Sequence, residues 1–275
     1  MKYANPKIPE EINYSKENPL KEFLLLVAGI LAVVAVFVIV TQQLTQQFAQ
    51  HIPFEYEAKI VPTQFIENNF LLSNNSEKKD YLTSLANKLA QHMDLPKAIN
   101  LQVYYLDSAE INAFASLNGI IIITEGLLKF VQSENELAFV IAHEIGHIKE
   151  RHPIKSLSSG LVIGATIAII GGSINNDSAA NALITGSSLT ALNFSRAQES
   201  QADTLALYAI HKHYGHTLGS IDFFTRLKEQ SQLPTVLSFT STHPDHNTRI
   251  TDAQALAQTL TNNISASLTA LPTFK

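Results

Sequence analysis

The sequence His-Glu-Ile-Gly-His at residues 143–147 constrains this chain more than any other segment. Side chains four residues apart lie on one face of an α-helix, so His143 and His147 can reach the same metal ion. Glu144, one position further round the helix, then faces the open side of that metal. Zn²⁺ held by neutral imidazoles lowers the pKa of a bound water to about 7, and a neighbouring carboxylate can accept the proton. The motif therefore predicts a helix that carries a hydrolytic zinc site.

A chance occurrence of this short motif is the alternative, and the flanking sequence argues against it. Residues 137–142 are apolar and lead directly into the motif, which predicts a largely buried helix. Burial of two histidines and a glutamate without a common partner would be unfavourable. Ser133 followed by Glu136 is a capping box, and it predicts that the helix begins directly after Ser133.

A hydrolytic zinc site needs a third protein ligand, and the residues just after the motif do not supply it. The pattern HExxHxxGxxH is excluded, because Glu150 and Pro153 stand at its glycine and third-histidine positions, and His152 misses by one residue. Farther along, Glu199 and Asp203 are four residues apart and share a face of a second predicted helix. One of these carboxylates can bind zinc while the other orients a ligand imidazole. An ordinary solvated helix face is the alternative.

HExxH followed about fifty residues later by ExxxD is the gluzincin pattern, and the flanking sequence resembles one gluzincin family. That family includes the HtpX heat-shock proteases, the CAAX prenyl endopeptidases and the BepA- and LoiP-type periplasmic proteases. The resemblance covers about residues 80–252, with the motifs in family order. It rests on residues 112–115, Gly119, residues 124–128, Arg151-His152, Ser195-Arg196, Thr242-His243-Pro244 and Arg249-Ile250.

The resemblance implies a role for each residue of the site. It implies one Zn²⁺ per chain as the cofactor, with His143, His147 and Glu199 as the metal ligands. It also implies Glu144 as the catalytic base, and Asp203 as a supporting residue that is often described as a proton donor.

His243 is a further candidate, in the polar loop that contains Pro244. The proline keeps His243 extended, which suits a side chain that reaches into a cleft, and the resemblance also indicates the cleft. There His243 can donate a hydrogen bond to the developing oxyanion, or it can occupy the fourth metal position and hold the enzyme inactive. We favour the blocking role. A surface loop without a part in the site is the alternative.

Composition excludes several classes of function. The net charge of −5 argues against nucleic acid as a partner. The absence of cysteine excludes disulfides, cysteine-bound zinc and thiol catalysis. The 275 residues, 45% of them hydrophobic, are enough for one substantial core with an appended segment.

Residues 23–40 form an uninterrupted apolar run of 18 residues, the lower end of the length that crosses a bilayer. A buried core helix and a cleaved signal peptide are the alternatives, but the run is apolar on every face and no small-x-small cleavage site clearly follows it. The lysines before the run are Lys2, Lys7, Lys16 and Lys21. No lysine or arginine follows it until Lys59, so we expect the N-terminus to stay in the cytoplasm. In a bacterium this predicts a single-pass inner-membrane protein with its zinc domain in the periplasm.

The expected fold class is α+β, a helix-rich gluzincin domain with a small antiparallel sheet after one N-terminal transmembrane helix. Asn118-Gly119 predicts a type I′ hairpin between strands at residues 113–116 and 120–123. In gluzincins a peptide substrate lies along an edge strand beside the zinc helix, and we expect residues 120–123 to be that strand.

A second apolar stretch covers residues 160–170, at most about 14 residues with its flanks, too short to cross a bilayer of about 30 Å. A buried or loosely packed helix near the active site is the favoured interpretation, and a segment that touches the membrane or covers the cleft is the alternative. Residues 173–188 are rich in Asn, Ser, Gly and Ala, as mobile loops are, and could gate the cleft.

The predicted organisation is a cytoplasmic segment (1–22), a transmembrane anchor (23–40), a linker (41–75), a zinc metallopeptidase domain (76–262) and a C-terminal tail (263–275). The predicted function is that of a membrane-anchored zinc metalloendopeptidase acting on protein or peptide substrates, and the resemblance points to misfolded envelope proteins. The alternatives are a zinc-stabilised assembly factor or chaperone-like binder with latent proteolysis, and a zinc hydrolase of non-peptide amides.

Overall fold

The computed structural model describes residues 4, 18–70, 72–73, 75–170, 192–230, 239, 242–243, 247–261 and 266–274. The chain divides into two compact units, Met1–Thr41 and Gln42–Lys275. The predicted gate at residues 173–188 lies outside the described residues.

The first unit consists mainly of the helix α1 (Pro19–Ala49), whose last residues belong to the second unit. Asn18 starts this helix, because its side-chain oxygen accepts a hydrogen bond of 3.1 Å from the backbone N–H of Leu20. Within the described part of the chain, α1 is the helix that is long and apolar enough to cross a membrane. It extends past the predicted span of residues 23–40 at both ends.

The second unit is helix-rich with one small sheet, so the predicted α+β class is confirmed. Its described helices are α2 (Glu57–Ile60), α3 (Thr63–Asn69), α4 (Ser76–Ala90), α5 (Glu125–Phe130), α6 (Glu134–Lys149), α7 (His152–Ile170), α8 (Arg196–Tyr214), α9 (Ser220–Glu229) and α10 (Asn247–Leu260). Two single turns of 3₁₀ helix lie at Phe54–Tyr56 and Leu117–Gly119. Helices α2 and α3 lie within the segment that the sequence analysis treats as a linker.

The sheet contains β1 (Gln102–Leu106), β2 (Ala113–Ala115) and β3 (Ile120–Thr124) in the spatial order β1-β3-β2. β3 pairs antiparallel with β2 and parallel with β1, so the described sheet is mixed and not purely antiparallel as expected. The reason is geometric: β3 inserts between two strands that run in opposite directions, and must therefore be parallel to one of them. β3 is thus the central, fully buried strand, and its prediction as the edge strand was wrong. β2 is the edge strand next to α6.

The predicted hairpin turn is confirmed. Asn118 (φ 62°, ψ 27°) and Gly119 (φ 70°) both have left-handed backbone angles, and the backbone N–H of Ile120 donates to the carbonyl of Leu117. This is the type I′ geometry that Asn-Gly favours. A Cβ atom on residue 119 would also lie 2.2 Å from the carbonyl oxygen of Asn100, so the position requires glycine for two reasons.

Helix α6 forms the centre of the core and packs against α4, α8, α9 and β2. Residues 137–142 are buried as predicted. The helix begins at the predicted position, because the Ser133 hydroxyl accepts a hydrogen bond of 3.2 Å from the backbone N–H of Glu136. The Glu136 carboxylate does not complete the capping box. It instead accepts hydrogen bonds of 2.6 and 2.9 Å from the guanidinium of Arg226 on α9.

Candidate metal centre

The site lies where α6 and α8 approach each other most closely. A Cβ atom on Gly146 would lie 3.2 Å from the Cα of Ala202, so this glycine allows the two helix backbones to come together. A capping box of Ser195 and Gln198 starts α8 one turn before Glu199. The HExxH face of α6 therefore meets the acidic face of α8.

Four side chains converge on one point. His143, His147, Glu199 and His243 each contribute one ligand atom, and these atoms all lie within 4.8 Å of one another. The Nε2 atoms of His143 and His147 are 2.9 Å apart, and each lies 3.4 Å from a Glu199 carboxylate oxygen. His243 Nδ1 lies 3.0 Å from Glu199 Oε1. All four side chains are buried.

The two carboxylates on α8 have different surroundings. Asp203 Oδ1 lies 2.9 Å from His143 Nδ1, the ring nitrogen that faces away from the cluster. Arg249 on α10 donates to both oxygens of Asp203, through Nε and through Nη2 at 2.8 Å. Its Nη1 lies 2.6 Å from Glu199 Oε2. One buried guanidinium therefore holds both carboxylates in place.

The second ring nitrogen of His147 is also engaged. His147 Nδ1 lies 2.9 Å from the Nδ1 atom of His152, at the start of α7. Phe194 stacks on the His147 ring with a centroid distance of 3.9 Å and an interplanar angle of 21°. His152 therefore does not belong to the group of converging ligand atoms. It contacts His147 on the ring nitrogen that faces away from that group.

Glu144 is buried at the edge of the cluster, and its polar contacts only partly offset the burial. Its exposed fraction is 0%, and the backbone of Ala115 lies close to its carboxylate. His243 Nε2 is 3.5 Å from Glu144 Oε1. Burial raises the pKa of Glu144 above its usual value, which brings it towards the range that suits a group exchanging protons near neutral pH.

The electrostatics of the site favour a positive charge among its carboxylates. Burial by itself would lower the pKa of His143, but hydrogen bonds with Asp203 and Glu199 outweigh it and raise the pKa to about 9. Burial opposes ionisation of Glu199, yet the charge of His243 and hydrogen bonds from the histidines hold its pKa well below the usual range. Both shifts describe a buried anionic pocket, which a divalent cation neutralises.

The donor set fits zinc. Three imidazole nitrogens and a carboxylate oxygen around one point match the ligand types and the number of ligands of tetrahedral Zn²⁺. The facing Nε2 atoms of His143 and His147 can share only one proton, and a cation between them would engage both lone pairs. His143, His147 and Glu199 would hold the ion, with His243 or a water in the fourth position.

The structure thus brings together all six residues that the sequence analysis singled out, and it adds others. Arg249 was matched to the family without a role, and Phe239, which stacks on His243 at 4.8 Å, was not identified. A signal for Arg249 exists in the sequence. Arg249, Ala253 and Ala257 are spaced by four residues, and all three are buried, so the arginine lies on the inner face of α10.

Comparison with known sequences gives a consistent result. The profile of Peptidase family M48 matches residues 76–257, a range that includes the whole cluster. A putative beta-barrel assembly-enhancing protease from Vibrio cholerae serotype O1 is 30% identical over 208 residues, 71% of this chain and 42% of the relative. The beta-barrel assembly-enhancing protease of Escherichia coli K12 is 26% identical over 196 residues, 66% of this chain and 39% of the relative.

A third relative is the metalloprotease LoiP of Escherichia coli K12. It is 33% identical over 132 residues, which are 47% of this chain and 51% of the relative. The chain thus spans about two fifths of the length of the assembly-enhancing relatives and about half of LoiP.

Proposed function

The chain belongs to Peptidase family M48, and we propose that it is a zinc metalloendopeptidase held in the bacterial envelope by its N-terminal helix. One observation carries this proposal: the fully buried carboxylate of Glu144, which contributes no ligand atom, beside a cluster of three histidines and a glutamate. Burial of this carboxylate outweighs its polar contacts and raises its pKa, so its position is unfavourable for folding. A protein that bound the metal only for stability would have no use for it, whereas a hydrolase needs a proton acceptor there.

The residues around the cluster hold its ligands in a fixed protonation state. When bound, zinc supplies Lewis acidity that polarises the scissile carbonyl and acidifies water. Asp203 accepts a hydrogen bond from the Nδ1–H group of His143, which leaves Nε2 free as a ligand. Arg249 occupies both oxygens of Asp203. These contacts support a positioning role for Asp203 in preference to the proton-donor role that the family resemblance implied.

Glu144 performs the proton transfers in the proposed reaction. Its carboxylate accepts a proton from the attacking water and passes it to the amine that leaves when the peptide bond breaks. The raised pKa of Glu144 supports both steps, because the carboxylate must hold the proton between them. The reaction needs no covalent intermediate with the protein.

The sheet suggests how a peptide is bound. β2 is one of the two edge strands of the described sheet and lies next to α6, so the main chain of an extended substrate can pair with it. Pairing through the main chain selects little for sequence. We therefore propose unfolded or misfolded protein segments as substrates.

The N-terminal helix and the names of the relatives together support a location in the bacterial envelope. We propose a single-pass inner-membrane protein with a cytoplasmic N-terminus and a periplasmic catalytic domain, acting in quality control of envelope proteins. Two relatives are named for beta-barrel assembly and for proteolysis, which is consistent with such a role. Nucleic acid is not a proposed partner.

A zinc-stabilised assembly factor with latent proteolysis is the second candidate function. It is favoured by the position of His243, whose Nδ1 lies among the ligand atoms and could keep the metal blocked. The names of the relatives also combine assembly with proteolysis.

Metal removal and restoration test the proposed function. Purified full-length protein in detergent should cleave unfolded casein, lose this activity after treatment with a chelator, and regain it with Zn²⁺ but not with Mg²⁺. Mass spectrometry of the products should show cleavage within the casein chain, which excludes a hydrolase restricted to non-peptide amides. Absence of cleavage by zinc-loaded protein, both unmodified and with His243→Ala, would contradict the proposal and favour the assembly factor.

A further inference from the structure

We propose that residues 160–170, the second half of α7, insert into one leaflet of the lipid bilayer. The inference rests on the membrane anchoring proposed above. It assigns a second membrane contact to the unit Gln42–Lys275, which contains the metal centre and is called the catalytic unit below.

Two hydrogen bonds within the catalytic unit define the direction of α7. The guanidinium of Arg151 donates to the carbonyl of Ile52 at 2.8 Å, and the side-chain amide of Gln46 donates to the hydroxyl of Ser159 at 2.8 Å. The later residue of the first segment, Ile52, contacts the start of α7, and the earlier residue, Gln46, contacts Ser159 farther along α7. Residues 42–49 and the first half of α7 are therefore antiparallel. Residues 160–170 continue towards the end of residues 42–49 at which the chain joins the apolar run.

The second half of α7 has the surface of a helix in contact with lipid. No charged residue occurs between Lys155 and Asp177. Leu161 and Ile163 are each 43% exposed. Residues two positions apart point to different sides of a helix, so aliphatic side chains are exposed on more than one side of α7. A helical segment that is apolar on all sides is typical of a buried or a lipid-facing helix, and the exposure of Leu161 and Ile163 favours lipid.

From Ser158 onward, the described hydroxyl groups of α7 donate to carbonyls of the same helix. The Thr166 hydroxyl donates to the carbonyl of Val162 at 2.8 Å, and the Ser159 hydroxyl donates to the carbonyl of Lys155 at 3.0 Å. Lipid offers no hydrogen-bond partners, so a helix in lipid needs its polar groups to be paired internally. In residues 160–170 the side chain with a hydroxyl group is Thr166, and its hydroxyl is paired within the helix as lipid requires.

Length decides how deeply the segment can insert. Eleven residues of helix extend about 16 Å, roughly half of a hydrocarbon core of about 30 Å. The segment can therefore enter one leaflet and cannot cross the bilayer.

This insertion would hold the metal centre near the membrane surface. α7 begins at His152, which contacts His147 of the cluster, and Gly160 lies about 12 Å farther along the same helix. A rigid helix that is embedded at one end and contacts a ligand histidine at the other limits the reach of the site. The substrates would be protein segments lying on or emerging from the membrane.

The absence of cysteine makes a site-specific test simple. Full-length protein with Leu161→Cys or Ile163→Cys, labelled with bimane, would be reconstituted into phosphatidylcholine–phosphatidylglycerol vesicles with and without brominated acyl chains. Tyr208→Cys on α8 is the matched control, because Tyr208 is 44% exposed and lies on another helix. Val33→Cys in α1 reports on the anchor. Zinc content and casein cleavage would verify that each variant is folded.

Brominated lipid should reduce bimane fluorescence at positions 161 and 163 to an extent similar to that at position 33, and should leave position 208 unchanged. Quenching at position 33 without quenching at 161 and 163 would overturn the inference while the anchor stands, and would assign this face to a protein partner or to the cleft. Absence of quenching at position 33 would overturn the proposed anchoring, and the inference with it.

Discussion

At the scale of single residues, we propose that His243 controls access to the fourth position of the metal centre. One ring nitrogen lies among the ligand atoms, 3.3 Å from His143 Nε2, and the other lies 3.5 Å from Glu144 Oε1. A histidine in this place would occupy the fourth position of a tetrahedral site, and it lies beside the proposed base. This arrangement supports the blocking role that the sequence analysis favoured.

His243→Ala should therefore raise the basal rate of casein cleavage, because it frees the fourth position for water. If His243 instead stabilises the oxyanion, kcat should fall by about 10²–10³-fold. Initial rates measured under saturating zinc, beside an inactive Glu144→Gln control, separate the two roles. The backbone N–H of His243 donates to the carbonyl of Phe239 at 2.9 Å, so His243 ends a helical turn and does not have the extended backbone that was expected. An unchanged rate would mean that His243 has no part in the site.

Arg249 is the second residue that we expect to influence the metal centre, although it contributes no ligand atom. It pairs with both Asp203 and Glu199, and it is the buried cation shared by the two carboxylates. Without it, two buried carboxylates would face each other and the ligand oxygen of Glu199 would lose its orientation.

Arg249→Met should weaken zinc binding by about 10–100-fold, the usual effect of losing a residue that orients metal ligands. Competition with a chromogenic chelator measures the Kd. Arg226→Met is the matched control, because Arg226 also makes a bidentate pair with a buried carboxylate, that of Glu136, two turns before the motif. Equal loss of zinc affinity in both variants would show that Arg249 acts only through general stability.

The residues of the cluster were predictable to different degrees. His143, Glu144 and His147 follow from spacing within one helix, because a short local pattern determines which side chains share a face. Spacing alone left the roles of Glu199 and Asp203 open. The distinction depends on Arg249 and on the orientation of the His143 ring, and both are set by packing between distant parts of the chain.

At the scale of elements, the contact between α6 and α8 positions the centre. Gly146 of the motif faces the backbone of Ala202. A Cβ atom added to Gly146 would lie 3.2 Å from the Cα of Ala202 and 3.3 Å from its carbonyl oxygen, which is closer than most Cβ contacts. The helices cannot separate easily, since the pair of His143 and Asp203 joins them on the same face.

Gly146→Ala should destabilise the fold by about 1–3 kcal/mol in the free energy of unfolding, because the added methyl group overpacks this contact. Zinc affinity should fall as well. Gly164→Ala is the matched control: a Cβ atom there meets nothing within 4 Å, so the change should be neutral or stabilise α7 by up to about 1 kcal/mol. Thermal unfolding in detergent measures both, and an equally stable Gly146→Ala variant would contradict the tight contact.

Element boundaries set by local chemistry were predicted well, and pairings between distant segments were not. The start of α6 at Ser133 and the Asn118-Gly119 turn depend on neighbouring residues alone. The parallel pairing of β1 with β3 joins residues that are far apart in sequence, and no local pattern distinguishes a central strand from an edge strand of three residues. The peptide-binding strand was therefore assigned to β3 when the edge strand is β2.

At the scale of the whole molecule, segments near both ends of the catalytic unit hold α6. At its C-terminal end, Arg151 pairs with Glu57 at 2.8 Å. At its N-terminal end, the backbone N–H of Thr269 donates to the side chain of Asn135 at 2.7 Å. The C-terminal tail, predicted as a separate segment, thus contacts the zinc helix. Such contacts are invisible to a sequence pattern, because they join the two ends of the domain to its middle.

The proposed topology predicts which parts of the chain a membrane-impermeant maleimide can reach. Because the chain has no cysteine, Tyr208→Cys and Ala4→Cys each provide a single reactive position. In intact spheroplasts Tyr208→Cys should be labelled and Ala4→Cys should be labelled only after lysis, since the lysines before the apolar run keep the N-terminus inside. The opposite labelling pattern would reverse the topology.

The decisive experiment on the metal centre compares the Glu144→Gln variant with the unmodified protein for both zinc content and casein cleavage. Glu144 is the proposed proton acceptor and contributes no ligand, so the variant should retain about one zinc per chain while its kcat falls by about 10²–10⁴-fold. Cleavage at near the unmodified rate, with zinc bound, would contradict the account of this site as a hydrolytic metal centre with Glu144 as its base.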